Sequence, residues 1–230
     1  MSALQAIVLD FDGVIADSER LHLRSFQDAL GASSPALGNA AYYQRYLGFD
    51  DRGVFKAFFA DAGVEVSAEH LRTLVAAKER RYEALAAAGD MLYPGAREFI
   101  RAAAARVPLS IASGALTREI DDVLARFGLR GHFLAVVGAD QTTNSKPAPD
   151  PYLEACARMQ AATGRALSPR HTVAIEDSRW GLESARAAGL RTVAVTNTYP
   201  ADALAGHAEL VVESLSTLDL DALDRLCGHD

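Results

Sequence analysis

The sequence predicts an α/β protein, an open parallel sheet flanked by helices and interrupted by an all-helical insertion. Three observations carry this. Short, continuously apolar runs recur along the chain and read as strands buried on both faces. Segments of helical periodicity, each ending at a glycine, separate them. One long stretch near the N-terminus has helical periodicity and no convincing strand.

The apolar runs are residues 6–9, 109–112, 133–137, 172–175 and 192–195. The helical segments include 118–127 before Gly128, 151–162 before Gly164, and 178–188 before Gly189. Strand and helix in strict alternation imply right-handed crossovers, and hence a Rossmann-like sheet covered on both faces. Residues from about 17 to 89 break the pattern, and 71–88 is rich in the strong helix formers Ala, Leu, Glu, Lys and Arg. Gly89-Asp90 and Pro94-Gly95 are turn signals that return the chain to the sheet. The expected domains are therefore 1–15 with 91–230 as an α/β core, and 16–90 as a helical insertion seated on it as a cap.

Composition narrows the function classes. The 230 residues are 50% hydrophobic and 23% charged, which is ordinary for a folded globular chain. The net charge of −7 provides no field to attract nucleic acid or an anionic membrane, so neither is an expected partner. No stretch approaches the roughly 18 apolar residues of a membrane helix. The apolar run at 6–9 is cut by Asp10 and Asp12, unlike a signal peptide. Cys156 and Cys227 lack CxxC spacing and read as free thiols, which with the preceding points makes the cytoplasm the expected location; a monomer is the expected state.

In open α/β sheets the reactive crevice lies beyond the carboxyl ends of the strands. There the sequence places Asp10 and Asp12, then Ser113-Gly114, then Lys146-Pro147, then Glu176-Asp177. Any one of these is unremarkable as a helix cap or a solvated lysine. Together, four carboxylates beside one ammonium give a formal charge of about −3, which demands a cation or a proton. Hard oxygen ligands without clustered His or Cys favour Mg²⁺.

These segments, Asp10-Phe11-Asp12-Gly13-Val14, Ser113-Gly114, Lys146-Pro147 and Glu176-Asp177-Ser178, resemble the four signature segments of the haloacid dehalogenase superfamily, present and in order. The resemblance implies that Asp10 attacks phosphorus to form an aspartyl-phosphate, while Asp12 protonates the leaving oxygen and later activates water. It implies that Ser113, Gly114 and Lys146 hold the phosphoryl oxygens. It further implies that Asp10, the Asp12 carbonyl, Asp177 and, directly or through water, Glu176 bind Mg²⁺. Ser178 reads as a structural helix cap. Asp12 sets aside the dehalogenases, which lack this acid, and the ion pumps, which carry Thr there.

The helical insertion occupies the position of this superfamily's cap, where substrate selection is expected. Ser18, His22 and Lys78 resemble cap residues of the β-phosphoglucomutase-type subgroup and are candidates for substrate binding. Leu47 before Gly48, and Ala115-Leu116-Thr117, stand where the mutase carries cationic or polar anchors for a second phosphate. The expected function is therefore hydrolysis of a small-molecule phosphate ester. A phosphomutase and a non-catalytic binding protein of the same fold are the alternatives. Arg24, Arg52 and Arg80 are possible replacement cations, Trp180 is expected to pack, and Tyr42, Tyr43 and Tyr46 either line a cleft or pack the inserted helices.

Overall fold

The computed structural model describes residues 2–31, 36–46, 49, 51–89 and 91–228. It divides into two units, Met1–Asp17 with Leu92–Asp230, and Ser18–Met91.

The first unit holds a six-stranded sheet whose strands all run parallel. In chain order these are β1 (Ala6–Leu9), β2 (Leu109–Ala112), β3 (Ala135–Val137), β4 (Thr172–Glu176), β5 (Arg191–Val195) and β6 (Leu210–Val212). They lie in the spatial order β3-β2-β1-β4-β5-β6. The order reverses at β1 and β4, the switch point where open α/β sheets bind ligands. β3 is shorter than its apolar run, because a 3-10 turn at Arg130–His132 leads into Phe133, while Leu134 is 48% exposed. β6 went unpredicted; it is a half-buried edge strand whose apolar run, Leu210-Val211-Val212, is only three residues long.

In the second unit, α1 (Ser18–Leu30), α2 (Asn39–Ala41), α3 (Asp51–Asp61) and α4 (Ala68–Ala88) form a helical bundle. α2 runs on into a π-helical turn at Tyr42–Tyr46. Tyr42 and Tyr46 are buried with Phe26, Phe55 and Phe58 in this unit's own core, whereas Tyr43 is exposed. Ser67 caps α4 by accepting from the His70 amide at 3.1 Å. Back in the first unit, α5 (Ala96–Ala104), α6 (Thr117–Arg126), α7 (Asp150–Thr163), α8 (Arg179–Ala187), α9 (Ala201–Leu204) and α10 (Leu220–Gly228) complete the chain.

Alternation along the strands assigns the two faces. Ile7 and Leu9 join Phe99, Ile100, Ile120, Leu124 and Leu223 in one core. Ala6, Val8, Ala112 and Ala174 face the opposite way, onto Tyr152, Ala155 and Met159 of α7 and Ala185 of α8. The small residues on this second face let α7 approach closely. Period two continues past the strand ends, so Asp10 follows Val8 and Glu176 follows Ala174 onto the α7 and α8 side. Trp180 does not pack as expected: it is 47% exposed, with the Arg179 guanidinium 3.8 Å from its ring centroid.

Candidate active site

Strand register builds the site. Leu9 pairs with Ile111 on one side and Ile175 on the other, so Asp10 emerges level with Ala112 and Glu176. The Asp10 amide donates to the Ile175 carbonyl at 2.9 Å, and its carboxylate Oδ1 accepts from the Phe11 amide at 2.7 Å. Beyond it the chain turns back at once, with the Ile15 and Ala16 amides donating to the Phe11 carbonyl and Gly13 to that of Ala16. Gly13 has φ +75°, and a Cβ there would overlap the Asp177 carboxylate. This glycine therefore serves both the turn and the close approach of an acid. The Asn197 side-chain amide holds its carbonyl at 2.8 Å.

Lys146 is the cation of the cluster. Its Nζ lies 3.0 Å from Asp10 Oδ1 and 2.5 Å from Glu176 Oε1. Burial disfavours the ammonium, but attraction to Asp10 and Glu176 outweighs it and holds Lys146 above its ordinary pKa. Glu176 is fully buried. Its Oε1 also accepts from the Tyr152 hydroxyl at 2.8 Å; its Oε2 accepts from the Asp177 amide (3.2 Å), the Ser178 amide (3.3 Å) and Ser178 Oγ (3.1 Å). Ser178 simultaneously caps α8 by accepting from the Gly181 amide at 3.1 Å.

Asp10, Glu176 and Asp177 each bring a carboxylate oxygen to within 4.8 Å of the others. Three buried acids thus face one ammonium. Burial, with the Glu176 charge next, pushes Asp177 up to about 7 despite a hydrogen bond from Thr198. Asp10 is raised by burial and by the charges of Glu176, Asp177 and Asp12, against the lowering influence of Lys146. This unbalanced set of hard oxygen donors fits a divalent cation. Asp12 is half-buried beside the cluster.

Ser113 is buried at the end of β2, its amide bonded to the Val137 carbonyl and its Oγ accepting from the Ala115 amide at 3.1 Å. Gly114 is exposed. The following Ala115-Leu116-Thr117 segment is fastened by Asp140, which accepts from both the amide and the hydroxyl of Thr117 at 2.8 Å. Those bonds, the Thr117 amide first, hold the Asp140 carboxyl well below the usual range.

The predicted residues of the insertion form a separate network in the helical unit. Lys78 is only 3% exposed; its Nζ lies 2.6 Å from Asp51 Oδ1 and 2.8 Å from His22 Nδ1. His22 stacks on Tyr82 with ring centroids 4.3 Å apart. Burial first, then the Lys78 charge, lowers its pKa to about 4, against the attraction of Asp51. Ser18 is buried at the start of α1. Arg24 pairs with Asp28 on the exposed face of α1, and Arg80 is solvated. Leu47 and Gly48 lie outside the described residues.

Three contributors carried little signal in the sequence. Tyr152 was legible only as one position of the stripe 152, 155, 159 that packs α7. Thr198 lies in the loop after β5, which bore no motif. A Cβ at Gly181 would overlap the Glu176 carboxylate, so this glycine within α8 makes room for a buried acid.

A family model described as haloacid dehalogenase-like hydrolase matches residues 4–189. The chain is 36% identical over 225 residues to Protein CbbY (plasmid) of Cupriavidus necator, covering 92% of this chain and 86% of that protein. It is 28% identical over 190 residues to the fructose-1-phosphate phosphatase YqaB of Escherichia coli, covering 82% and 95%. Among solved structures, CbbY from Rhodobacter sphaeroides in complex with phosphate matches with a TM-score of 0.74 at 26% identity, over 96% of this chain and 99% of that one. A mutant of the same protein was solved in complex with xylulose-(1,5)bisphosphate. The chain belongs to the haloacid dehalogenase-like hydrolases, and within that family it stands with the phosphatases.

Proposed function

We propose that this enzyme is a Mg²⁺-dependent phosphatase of small phosphorylated sugars, working through an aspartyl-phosphate on Asp10. The observation that carries this reading is the buried cluster of Asp10, Lys146, Glu176 and Asp177 at the carboxyl ends of β1 and β4. Asp10 and Asp177, with the Asp12 carbonyl, would hold the ion; Glu176, which the resemblance makes a direct or water-mediated ligand, already accepts five hydrogen bonds on its two oxygens and would support the others from behind. Mg²⁺ bound there supplies the positive charge that lets an anionic nucleophile approach a phosphate.

In the first half-reaction an Asp10 carboxylate oxygen bonds to phosphorus and the ester P–O bond breaks. Asp12 delivers a proton to the departing sugar oxygen. In the second, water attacks phosphorus while Asp12 accepts a proton from that water, and the Asp10 O–P bond breaks, releasing inorganic phosphate and restoring Asp10. Lys146, Ser113 and the Gly114 backbone hold the phosphoryl oxygens through both.

Selection among sugars is assigned to the helical unit, with Ser18, His22 and Lys78 the residues for it. Lys78 makes His22 Nδ1 an acceptor, leaving Nε2–H as the imidazole donor. Hydrolysis is preferred to mutase chemistry because Ala115-Leu116-Thr117 offers no cation to retain a bisphosphate intermediate. The two unpaired thiols favour the cytoplasm.

The test is a panel of ketose 1-phosphates, hexose phosphates, phosphoglycolate and a pentulose 1,5-bisphosphate, assayed for phosphate release with Mg²⁺ and again with a chelator. Metal-dependent release from at least one sugar is expected. No turnover on any member, or turnover indifferent to the chelator, would overturn the assignment. Conversion of a hexose 1-phosphate into its 6-phosphate, primed by a trace of bisphosphate, would favour the mutase.

A further inference from the structure

Lys146 sits in an exposed loop that is tied down on either side of it, by the Asn144 side chain to Asp150 at 2.8 Å and by Ser184 Oγ to the Ala148 carbonyl at 2.5 Å. Those bonds hold the backbone, while the ammonium at the end of a long side chain is placed by the acceptors it meets. One of those acceptors, Asp10, is also the reacting group. The other is Glu176, and what fixes Glu176 therefore fixes the lysine.

Of the two Glu176 oxygens, Oε2 is tied to its own chain by the Asp177 and Ser178 amides and Ser178 Oγ. Oε1 accepts from Lys146 itself and from the hydroxyl of Tyr152. With five donors converging on two oxygens, their lone pairs are fully committed. Tyr152 is rigid: fully buried in the first turn of α7, it packs among Ala112, Val137 and Ala174. Its ring centroid lies 5.3 Å from Lys146 Nζ, so the aromatic face also closes off the floor beneath the ammonium.

We infer that Tyr152 is a positioning residue for phosphoryl transfer, aiming the Lys146 ammonium at the phosphoryl group by holding Glu176 Oε1. This rests on the reading of Lys146 as a phosphoryl-binding group. Two of the three ammonium protons go to Asp10 and Glu176, which leaves the third for an incoming oxygen.

The test is Tyr152→Phe, which removes one oxygen and keeps the ring. Losing a hydrogen bond to a buried charge is expected to lower kcat/KM on the best substrate of the panel by roughly 10- to 100-fold. Mg²⁺ affinity, measured by calorimetry without substrate, is expected to stay within about threefold, because the ion's ligands are untouched. A tyrosine that served packing alone would lower the melting temperature and leave kcat/KM within about twofold, which overturns the inference. A parallel loss of Mg²⁺ affinity overturns it too, by placing the defect in the metal ligands.

Glu176→Gln perturbs the same link without touching the aromatic core. It is expected to reproduce the kcat/KM loss, and in its background Tyr152→Phe is expected to cost less than about threefold; full additivity refutes action through Glu176. Wild-type turnover is read first. An inactive wild type speaks against the phosphatase reading, whereas an active wild type with unaffected variants speaks against Tyr152 alone.

Discussion

Asp177→Asn should stabilise this protein in a chelator, and the gain should depend on pH in a direction the structure fixes. Asp177 rises from near 3.8 to about 7 on folding, chiefly through burial and then the Glu176 charge. An acid raised by folding contributes its full stabilisation below about 3.8 and loses it as pH climbs through about 7. At roughly 1.4 kcal/mol per unit, the ionised Asp177 costs the folded chain about 4 kcal/mol at pH 8. Asparagine carries no such cost, though the weakened Thr198 bond returns about 1 kcal/mol. The expected gain is therefore about 3 kcal/mol at pH 8, shrinking to within about 1 kcal/mol at pH 5, where folded Asp177 is already protonated. His22, lowered to about 4, titrates identically in both proteins and cancels. Urea unfolding followed by Trp180, the single tryptophan, reads the α/β unit directly, since it lies three residues after Asp177 in α8. Saturating Mg²⁺ should reverse the order, because the wild type alone keeps the carboxylate ligand. A variant no more stable than wild type at pH 8, or a gain equal at both pH values, would refute the reasoning.

Gly181→Ala should cost roughly 3 kcal/mol or more by driving a methyl group into the buried Glu176 carboxylate, and should also remove turnover; thermal melting and kcat check this. Lys78→Met should let the His22 pKa climb from about 4, since it removes the adjacent positive charge while the burial remains. An NMR titration of the imidazole that stays put would contradict that. Asp12→Asn should lose more kcat on sugar phosphates than on an aryl phosphate, whose leaving group needs no proton. Equal losses on both would remove Asp12 from the acid role.

The strand ends were legible because the chemistry of a parallel sheet is written at them: an apolar run followed at once by Asp10, Ser113 or Glu176 needs no tertiary information. Lys146 was legible only through its place in the signature set, since eight residues separate it from Val137 at the end of β3. β6 escaped because a three-residue edge strand buries too little to demand a pattern. Tyr152 and Gly181 escaped for a different reason. Each lies on a helix whose apolar stripe accounts for it, and only the approach of the Glu176 carboxylate gives it a second task. Trp180 departed from expectation because the first turn of α8 turns that position outward, where stacking with Arg179 takes the place of core packing.

The most direct test of the central claim is to trap the covalent intermediate. Enzyme quenched during turnover of its best sugar phosphate, with Mg²⁺, is treated with borohydride, which reduces an acyl phosphate to the alcohol, and is then mapped by peptide mass spectrometry. Conversion of Asp10 to homoserine, dependent on both substrate and Mg²⁺, is the expected result. Sustained turnover with Asp10 unmodified, or reduction at another carboxylate, would contradict the account.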